Sequence, residues 1–74
     1  MNIKLRAKRV ERGLNQKQLA DKLHINLATY SKKENGINDF TLTEIQDLMY
    51  YLDCNFDDIF FKKEVANIGE IKTN

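Results

Sequence analysis

Four polar residues of the kinds that cap helices recur along this chain, three of them directly before an apolar residue and one, Asn15, before Gln16. A side-chain oxygen at such a position accepts a hydrogen bond from a first-turn backbone N–H that otherwise has no partner. The four residues are Asn15, Asn26, Thr41 and Asn55. After Asn15 and Thr41, the residues Gln18 and Glu44 complete the capping-box pattern. The pattern predicts helix starts at Gln16, Leu27, Leu42 and Phe56.

Apolar or amphipathic residues bracket each of these four starts. The residue before a cap often packs on the fourth helical residue and forms a hydrophobic staple. The four pairs here are Leu14 with Leu19, Ile25 with Tyr30, Phe40 with Ile45, and Cys54 with Ile59. Because the two signals coincide at every start, we expect an all-α chain.

Two glycines mark helix ends. Gly13 and Gly36 stand where a left-handed residue commonly terminates a helix. The sequence therefore predicts five helices, over about residues 3–12, 16–23, 27–35, 42–52 and 56–61. Most of the core is expected from ten side chains: Leu5, Leu19, Leu23, Tyr30, Ile45, Leu48, Met49, Leu52, Phe56 and Ile59.

Only residues 24–26 join the predicted helices 16–23 and 27–35. A turn this short makes the two helices cross steeply, as in a helix-turn-helix. Ala20 is expected on the inner side of the first of them, where a small side chain permits close approach. A plain helical hairpin in a small bundle is the alternative, and the spacing alone leaves both open.

The charges are divided unevenly along the chain. Twelve Lys and Arg against eleven Asp and Glu give a formal net charge of +1. Residues 1–33 hold nine basic and two acidic side chains, a net +7, whereas residues 34–74 hold three and nine, a net −6. Such asymmetry indicates a polyanionic partner. We expect the acidic half to pack behind the basic half and to face away from that partner.

Several functional classes are poorly supported by the composition. A chain of 74 residues is expected to form one domain with little room for a deep pocket, so no small-molecule ligand is expected. One His, one Cys and acids without a base partner at fixed spacing predict no enzyme, no metal site and no cofactor. The lone Cys54, with no signal-peptide pattern and no apolar run long enough for a membrane span, favours the cytoplasm.

A stretch across the second helix and a later tripeptide carry a family resemblance. They are the run RVERGLNQKQLA at residues 9–20 and the tripeptide ENG at residues 34–36. Together they resemble the Cro/CI-type (XRE-like) helix-turn-helix repressors of temperate phages and their bacterial relatives. The resemblance covers about residues 3–61 and implies a compact five-helix, lambda-repressor-like DNA-binding domain over residues 1–61. Residues 62–74 are then a C-terminal tail that dimerises or is disordered.

The resemblance also implies which residues contact the DNA backbone. The expected phosphate contacts are Asn15, Gln16, Thr29, Lys33, Asn35 and Gly36. Gln16 matches a glutamine that makes such a contact in the family. Asn35 and Gly36 match a turn whose backbone amides approach the other side of the groove. These contacts position the protein and carry no sequence information.

Base reading is expected from the N-terminal, outward face of the helix at residues 27–35, which the resemblance places in the major groove. The expected readers are Leu27, Ala28, Ser31 and Lys32. Lys32 can donate to guanine O6 and N7, with a phosphate contact or a solvated position as alternatives. Because many relatives carry polar readers there, we expect weak direct discrimination or more reliance on DNA shape.

Two further residue assignments follow from the family pattern. Arg9 and Glu34 match an arginine and a glutamate that form a partly buried structural ion pair between the first and third helices. His24 stands where the family usually has a left-handed glycine. Because His is among the residue types that tolerate this conformation, we expect a turn residue at this position and no metal ligand.

Two functions are predicted. The first is a sequence-specific regulator of transcription, a repressor of phage or bacterial type, that binds double-stranded operator DNA as a homodimer. It is expected in the cytoplasm and on the nucleoid when bound to DNA, with no membrane contact. The alternative is a protein-interaction module or antitoxin of the same fold, whose partner is a toxin or another protein. The acidic half and the apolar tail residues suit either a partner protein or self-association.

Overall fold

The computed structural model describes residues 1–61, which form five helices and no strand. The helices are α1 (Ile3–Glu11), α2 (Gln16–Lys22), α3 (Leu27–Glu34), α4 (Leu42–Leu52) and α5 (Phe56–Ile59). The all-α prediction and the four predicted starts are confirmed. Four predicted ends lie one or two residues too far along the chain, and in each case the residue after the helix still donates its N–H to the last turn. The tail, residues 62–74, lies outside the described residues.

Three of the four predicted side-chain caps are formed, at Asn15, Asn26 and Thr41, whereas the Asn55 side chain makes no cap hydrogen bond and the Asn55 N–H instead donates to the Asp58 side chain at 2.8 Å. The Asn15 side chain accepts from the Gln18 N–H at 2.7 Å, and the Gln18 side chain accepts from the Asn15 N–H at 2.8 Å. Thr41 and Glu44 form the same reciprocal pair at 3.1 and 2.8 Å. Since each cap satisfies first-turn N–H groups locally, the positions of these starts depend little on the rest of the fold.

The core lies where all five helices meet. Seven of the ten predicted side chains are buried, while Ile45, Met49 and Phe56 only pack against the margin. Two buried apolar residues, Ala20 and Phe60, were not among the ten. Phe60 follows α5 in extended conformation, and its ring lies 4.8 Å from Phe56. The prediction that α5 continues to residue 61 is therefore wrong, and extended geometry turns Phe60 inward.

Asn2 joins three parts of the chain, a role that the sequence pattern did not reveal. Its side-chain oxygen caps α1 by accepting from the Leu5 N–H at 3.0 Å, and its amide nitrogen donates to the Ile59 carbonyl at 2.7 Å. Its backbone N–H donates to the Glu34 carbonyl at 2.8 Å. Buried Asn2 thus satisfies groups at the start of α1 and the ends of α3 and α5.

Within residues 1–61, four residues adopt left-handed backbone conformations. Gly13 and Gly36 have φ of 75° and 84°, and His24 has φ of 60°, as predicted for the helix ends and the turn. Asp53, which follows α4, was not predicted and has φ of 50°. Aspartate is one of the few non-glycine types enriched in this region.

A buried carboxylate ties α1, α2 and α3 together. The side chain of Glu34 accepts from Arg9 Nε at 2.9 Å and Nη2 at 3.2 Å, and from the Tyr30 hydroxyl at 2.6 Å. A fourth hydrogen bond comes from the Gln16 side-chain amide at 2.9 Å. Arg9 also donates to the Leu14 carbonyl at 2.9 Å. We call Glu34, Arg9, Tyr30 and Gln16 the Glu34 cluster.

The cluster keeps Glu34 ionised although the residue is only 1% exposed. Burial alone raises the pKa of a carboxyl group, but the hydrogen bonds from Arg9, Tyr30 and Gln16 outweigh burial and hold the pKa of Glu34 below its ordinary 4.5. Burial raises the pKa of Tyr30, so its hydroxyl stays protonated and donates.

Replacing Arg9 with Ala should unfold the protein at a much lower temperature. The variant leaves the Glu34 carboxylate buried without its cation, which costs about 3–5 kcal/mol. In a domain of this size, a loss of that order lowers the melting temperature by more than about 10 °C. The control is Lys17→Ala, which removes an exposed pair with Asp21 and should cost less than about 1 kcal/mol. Circular dichroism melts compare the two, and equal melting temperatures would contradict the structural role of Arg9.

Stability should fall on acidification through Glu34. A folded-state pKa below the unfolded value of 4.5 stabilises the protein above that pH, and the contribution disappears as the pH falls through the folded pKa. At about pH 7, we expect Glu34→Gln to have a lower melting temperature than wild type. Between about pH 7 and about pH 3, the melting temperature of the variant should fall by less than that of wild type. Glu11→Gln, at an exposed position, should keep the wild-type dependence. Parallel pH profiles for wild type and Glu34→Gln would refute the coupling.

Candidate nucleic-acid interface

Helices α2 and α3 pack directly on each other across a four-residue turn, residues 23–26. Ala20 is 1% exposed at their contact, and its carbonyl accepts from the Ile25 N–H at 3.1 Å. The left-handed His24 reverses the chain between them. Small size at Ala20 and positive φ at His24 together bring α3 across α2, which leaves one face of α3 uncovered.

The four predicted base readers share that uncovered face. Leu27 is 44% exposed, Ala28 and Lys32 are exposed, and Ser31 is half-buried. The opposite face of α3 carries the buried Tyr30 and Glu34. Because burial of Tyr30 and Glu34 prevents α3 from rotating about its axis, packing in the core determines which α3 residues face a partner.

Gln16 begins α2 beside the Glu34 cluster. Its side-chain amide donates to Glu34 while its residue stays half-buried. A second amide hydrogen remains to donate to a phosphate oxygen. The cluster therefore orients Gln16 at the start of α2, next to the exposed Asn15.

The end of α3 offers fewer backbone donors than the sequence suggested. The Asn35 N–H donates to the Ser31 carbonyl at 2.9 Å, and the Gly36 N–H donates to the Lys33 carbonyl at 3.2 Å. Both amides are thus used within the helix end. The side-chain amide of Asn35, 3.4 Å from the Ser31 hydroxyl, is the better placed donor for a phosphate.

Thr29 lies in the first turn of α3 and is half-buried. Its N–H donates to the capping oxygen of Asn26 at 2.7 Å, so its hydroxyl is the group that remains for a backbone contact.

The net +7 of residues 1–33 is not a free positive surface. Seven of the nine basic side chains contact a carboxylate, a carbonyl oxygen or an aromatic ring: Lys4, Lys8, Arg9, Arg12, Lys17, Lys22 and Lys33. Within residues 1–61, Lys4 and Lys22 form no ion pair, and Arg6 and Lys32 form none of these three kinds of contact. Lys32 is thus an exposed, unneutralised cation on the outward face of α3.

The expected separation of the basic and acidic halves is wrong in one respect. Glu34 and Glu44 belong to the acidic half by sequence, yet they pair with Arg9 and Lys33 of the basic half. Helix packing brings these four charges together inside the domain. The acidic half therefore neutralises part of the basic half and does not simply pack behind it.

Lys33 is held away from solvent. Its ammonium donates to a Glu44 carboxylate oxygen and lies 6.0 Å from the centre of the Phe40 ring. The side chains of Lys33 and Glu44 are each 12% exposed. Sequence reasoning assigned Glu44 only to a cap, because no local pattern relates it to a residue eleven positions earlier.

Within residues 1–61, no group of three His, Cys, Asp or Glu side chains is placed to hold a metal ion. None of the five helices is long and apolar enough to cross a membrane.

Comparison with known proteins identifies the fold's family. A helix-turn-helix family model (HTH_3) matches residues 5–59, which include all of the α2–turn–α3 unit. No curated protein and no solved structure matches the chain. The family match decides between the two arrangements that the spacing left open, in favour of the helix-turn-helix. The chain therefore belongs to the Cro/CI-type, XRE-like helix-turn-helix family of DNA-binding regulators.

Proposed function

We propose that this protein represses transcription by binding duplex operator DNA as a homodimer, with α3 in the major groove. The observation that carries the proposal is that α3 is buried on one side and exposed on the other. One side is fixed in the core by Tyr30 and Glu34, and the other exposes Leu27, Ala28 and Lys32. A rigid helix with an exposed reading face is what direct readout in the major groove requires.

Base reading is assigned to Leu27, Ala28, Ser31 and Lys32. Lys32 supplies the charged donor, which suits guanine O6 and N7, while the apolar pair suits thymine methyl groups. Phosphate contacts are assigned to Asn15, Gln16, Thr29 and Asn35, with the side-chain groups of Gln16 and Asn35 as the main donors, whereas the only donor of Gly36, its N–H, is used in the helix end. This division separates contacts that read sequence from contacts that set register.

Dimerisation on DNA follows from the size of the reading face. A single eight-residue α3 contacts one short half-site, and two copies related by a two-fold axis read two half-sites about one helical turn apart. The repressor then acts by occupying the operator, in the cytoplasm, where the nucleoid lies. No cofactor is required by this scheme.

Selection from random duplexes should yield a palindromic site. We expect two inverted half-sites with centres about 10 base pairs apart. Affinity for the selected duplex should fall as salt rises, with a log–log slope of about −0.9 for each phosphate neutralised. If no duplex is enriched at low salt and a toxin or other protein co-purifies instead, the interaction-module alternative replaces the repressor.

Lys32→Ala and Gln16→Ala should affect DNA binding differently. Loss of Lys32 removes a donor to a base, so preference at one position of each half-site should relax by about 1–3 kcal/mol. Loss of Gln16 removes a phosphate contact and should weaken all duplexes alike. Because Gln16 also donates to Glu34, binding is measured well below the melting temperature of each variant.

The matched control is Lys22→Ala. Lys22 lies over the Tyr51 ring at 5.1 Å, near the end of α2, and carries the same charge as Lys32. It should leave the base preference unchanged. A uniform loss for Lys32→Ala, with no position relaxed, would assign Lys32 to phosphate.

A further inference from the structure

We propose that Lys33 and Glu44 form an anchor that positions the recognition helix, and that Lys33 is a positioning residue with no phosphate contact of its own. The inference rests on the proposed function, because it concerns how α3 is presented to DNA. It replaces the backbone contact that the sequence suggested for Lys33.

The anchor joins the last turn of α3 to the first turn of α4. The Glu44 oxygen that accepts from the Lys33 ammonium also accepts from the Thr41 N–H at 2.8 Å. A single Glu44 oxygen therefore links the last turn of α3 to the N-cap of α4. The Phe40 ring, 6.0 Å from the ammonium, covers the pair, and its neighbours are Tyr30 and Phe60 at 6.0 and 5.9 Å.

The burial of the pair argues against DNA contact in this arrangement. A lysine that binds phosphate as a surface cation keeps its ammonium in water, whereas Lys33 and Glu44 are each 12% exposed. Burial raises the pKa of the Glu44 carboxyl, but hydrogen bonds from Lys33 and Thr41 outweigh it and hold this pKa below its ordinary value. Releasing the ammonium to a phosphate would leave that carboxylate uncompensated.

The anchor lies one residue from the exposed reader Lys32. The loop after α3 folds back on that residue, because the N–H groups of Ile37 and Asn38 donate to the Lys32 carbonyl at 2.8 and 3.3 Å. Lys33 then fixes the same turn from the side of α4. A shift of this turn moves the Lys32 side chain relative to the bases, and a displacement of about 1 Å is enough to lose a directional contact.

Glu44→Gln is the decisive variant because two effects on DNA affinity have opposite signs. The substitution makes the protein one charge more positive, so electrostatics alone predicts tighter binding. An anchor predicts weaker binding to the selected duplex, by about tenfold, and a smaller ratio of selected to scrambled affinity. Gln also preserves the capping box with Thr41, so the start of α4 stays intact.

Lys33→Met tests the other half of the pair. The anchor predicts the same loss of sequence preference as in Glu44→Gln, an unchanged salt slope, and a double variant no weaker than either single one. A phosphate contact instead predicts a salt slope smaller by about 0.9, with preference retained, and that result overturns the proposal. Tighter binding by Glu44→Gln overturns it as well.

The matched control is Asp21→Asn. It also removes one acid and frees one lysine, Lys17, but this pair is 64–66% exposed and lies within one helix. Its sequence preference should equal that of wild type. A loss of preference equal to that of Glu44→Gln would show a charge effect and not an anchor, which overturns the proposal.

Hydrogen exchange separates this inference from the proposed function. The amides of Asn35 and Ile37, which bond to the last turn of α3, should exchange about tenfold faster in Glu44→Gln and in Lys33→Met than in Asp21→Asn. If no duplex binds wild type, the repressor proposal fails, and this measurement still decides the anchor. Unchanged exchange at both amides overturns the anchor even if DNA binding is confirmed.

Discussion

A buried carboxylate is the constraint on which the arrangement of the first three helices depends. Glu34 is 1% exposed and accepts four hydrogen bonds, from side chains in α1, α2 and α3. An ionised group at such a site is tolerated only when its acceptor capacity is filled. The helices must therefore meet at one geometry, since a shift of any of them would leave a charge unpaired. This requirement gives the small domain a unique arrangement that apolar packing alone specifies less sharply.

The use of charged side chains within the fold also limits how many cations remain to bind DNA. Most basic side chains of the first 33 residues serve the fold, either in ion pairs or on the ends of other helices, as when Arg12 donates to the Leu52 carbonyl at 2.7 Å. Carbonyl-bound lysines and arginines still contribute their charge to the long-range field, whereas those paired with carboxylates contribute little. Recognition by this protein thus depends on accurate placement of a few groups, Lys32 above all, and less on a broad cationic surface.

Helix α3 combines three constraints in eight residues. Tyr30 and Glu34 face the core, Lys33 is held by Glu44 of α4, and the remaining side carries Leu27, Ala28 and Lys32. With the helix held on two sides, its exposed face has one orientation. Such preorganisation lowers the entropy that binding must offset, which matters for a helix too short to be stable alone.

The sequence by itself determined the helix starts, three of the four left-handed residues within residues 1–61, most of the core and the family, because caps, staples and glycine signals act between residues a few positions apart. The outward face of α3 was predictable for the same reason. Only the tertiary structure decided that Asn2 joins α1 to α5, that Lys33 pairs with Glu44, and that the amides of Asn35 and Gly36 are already used. These contacts join residues up to 57 positions apart or depend on how a helix end closes, and no local periodicity encodes them. The charges show most clearly what the sequence cannot predict. The sequence gives the number of basic side chains, but helix packing determines which of them remain unpaired.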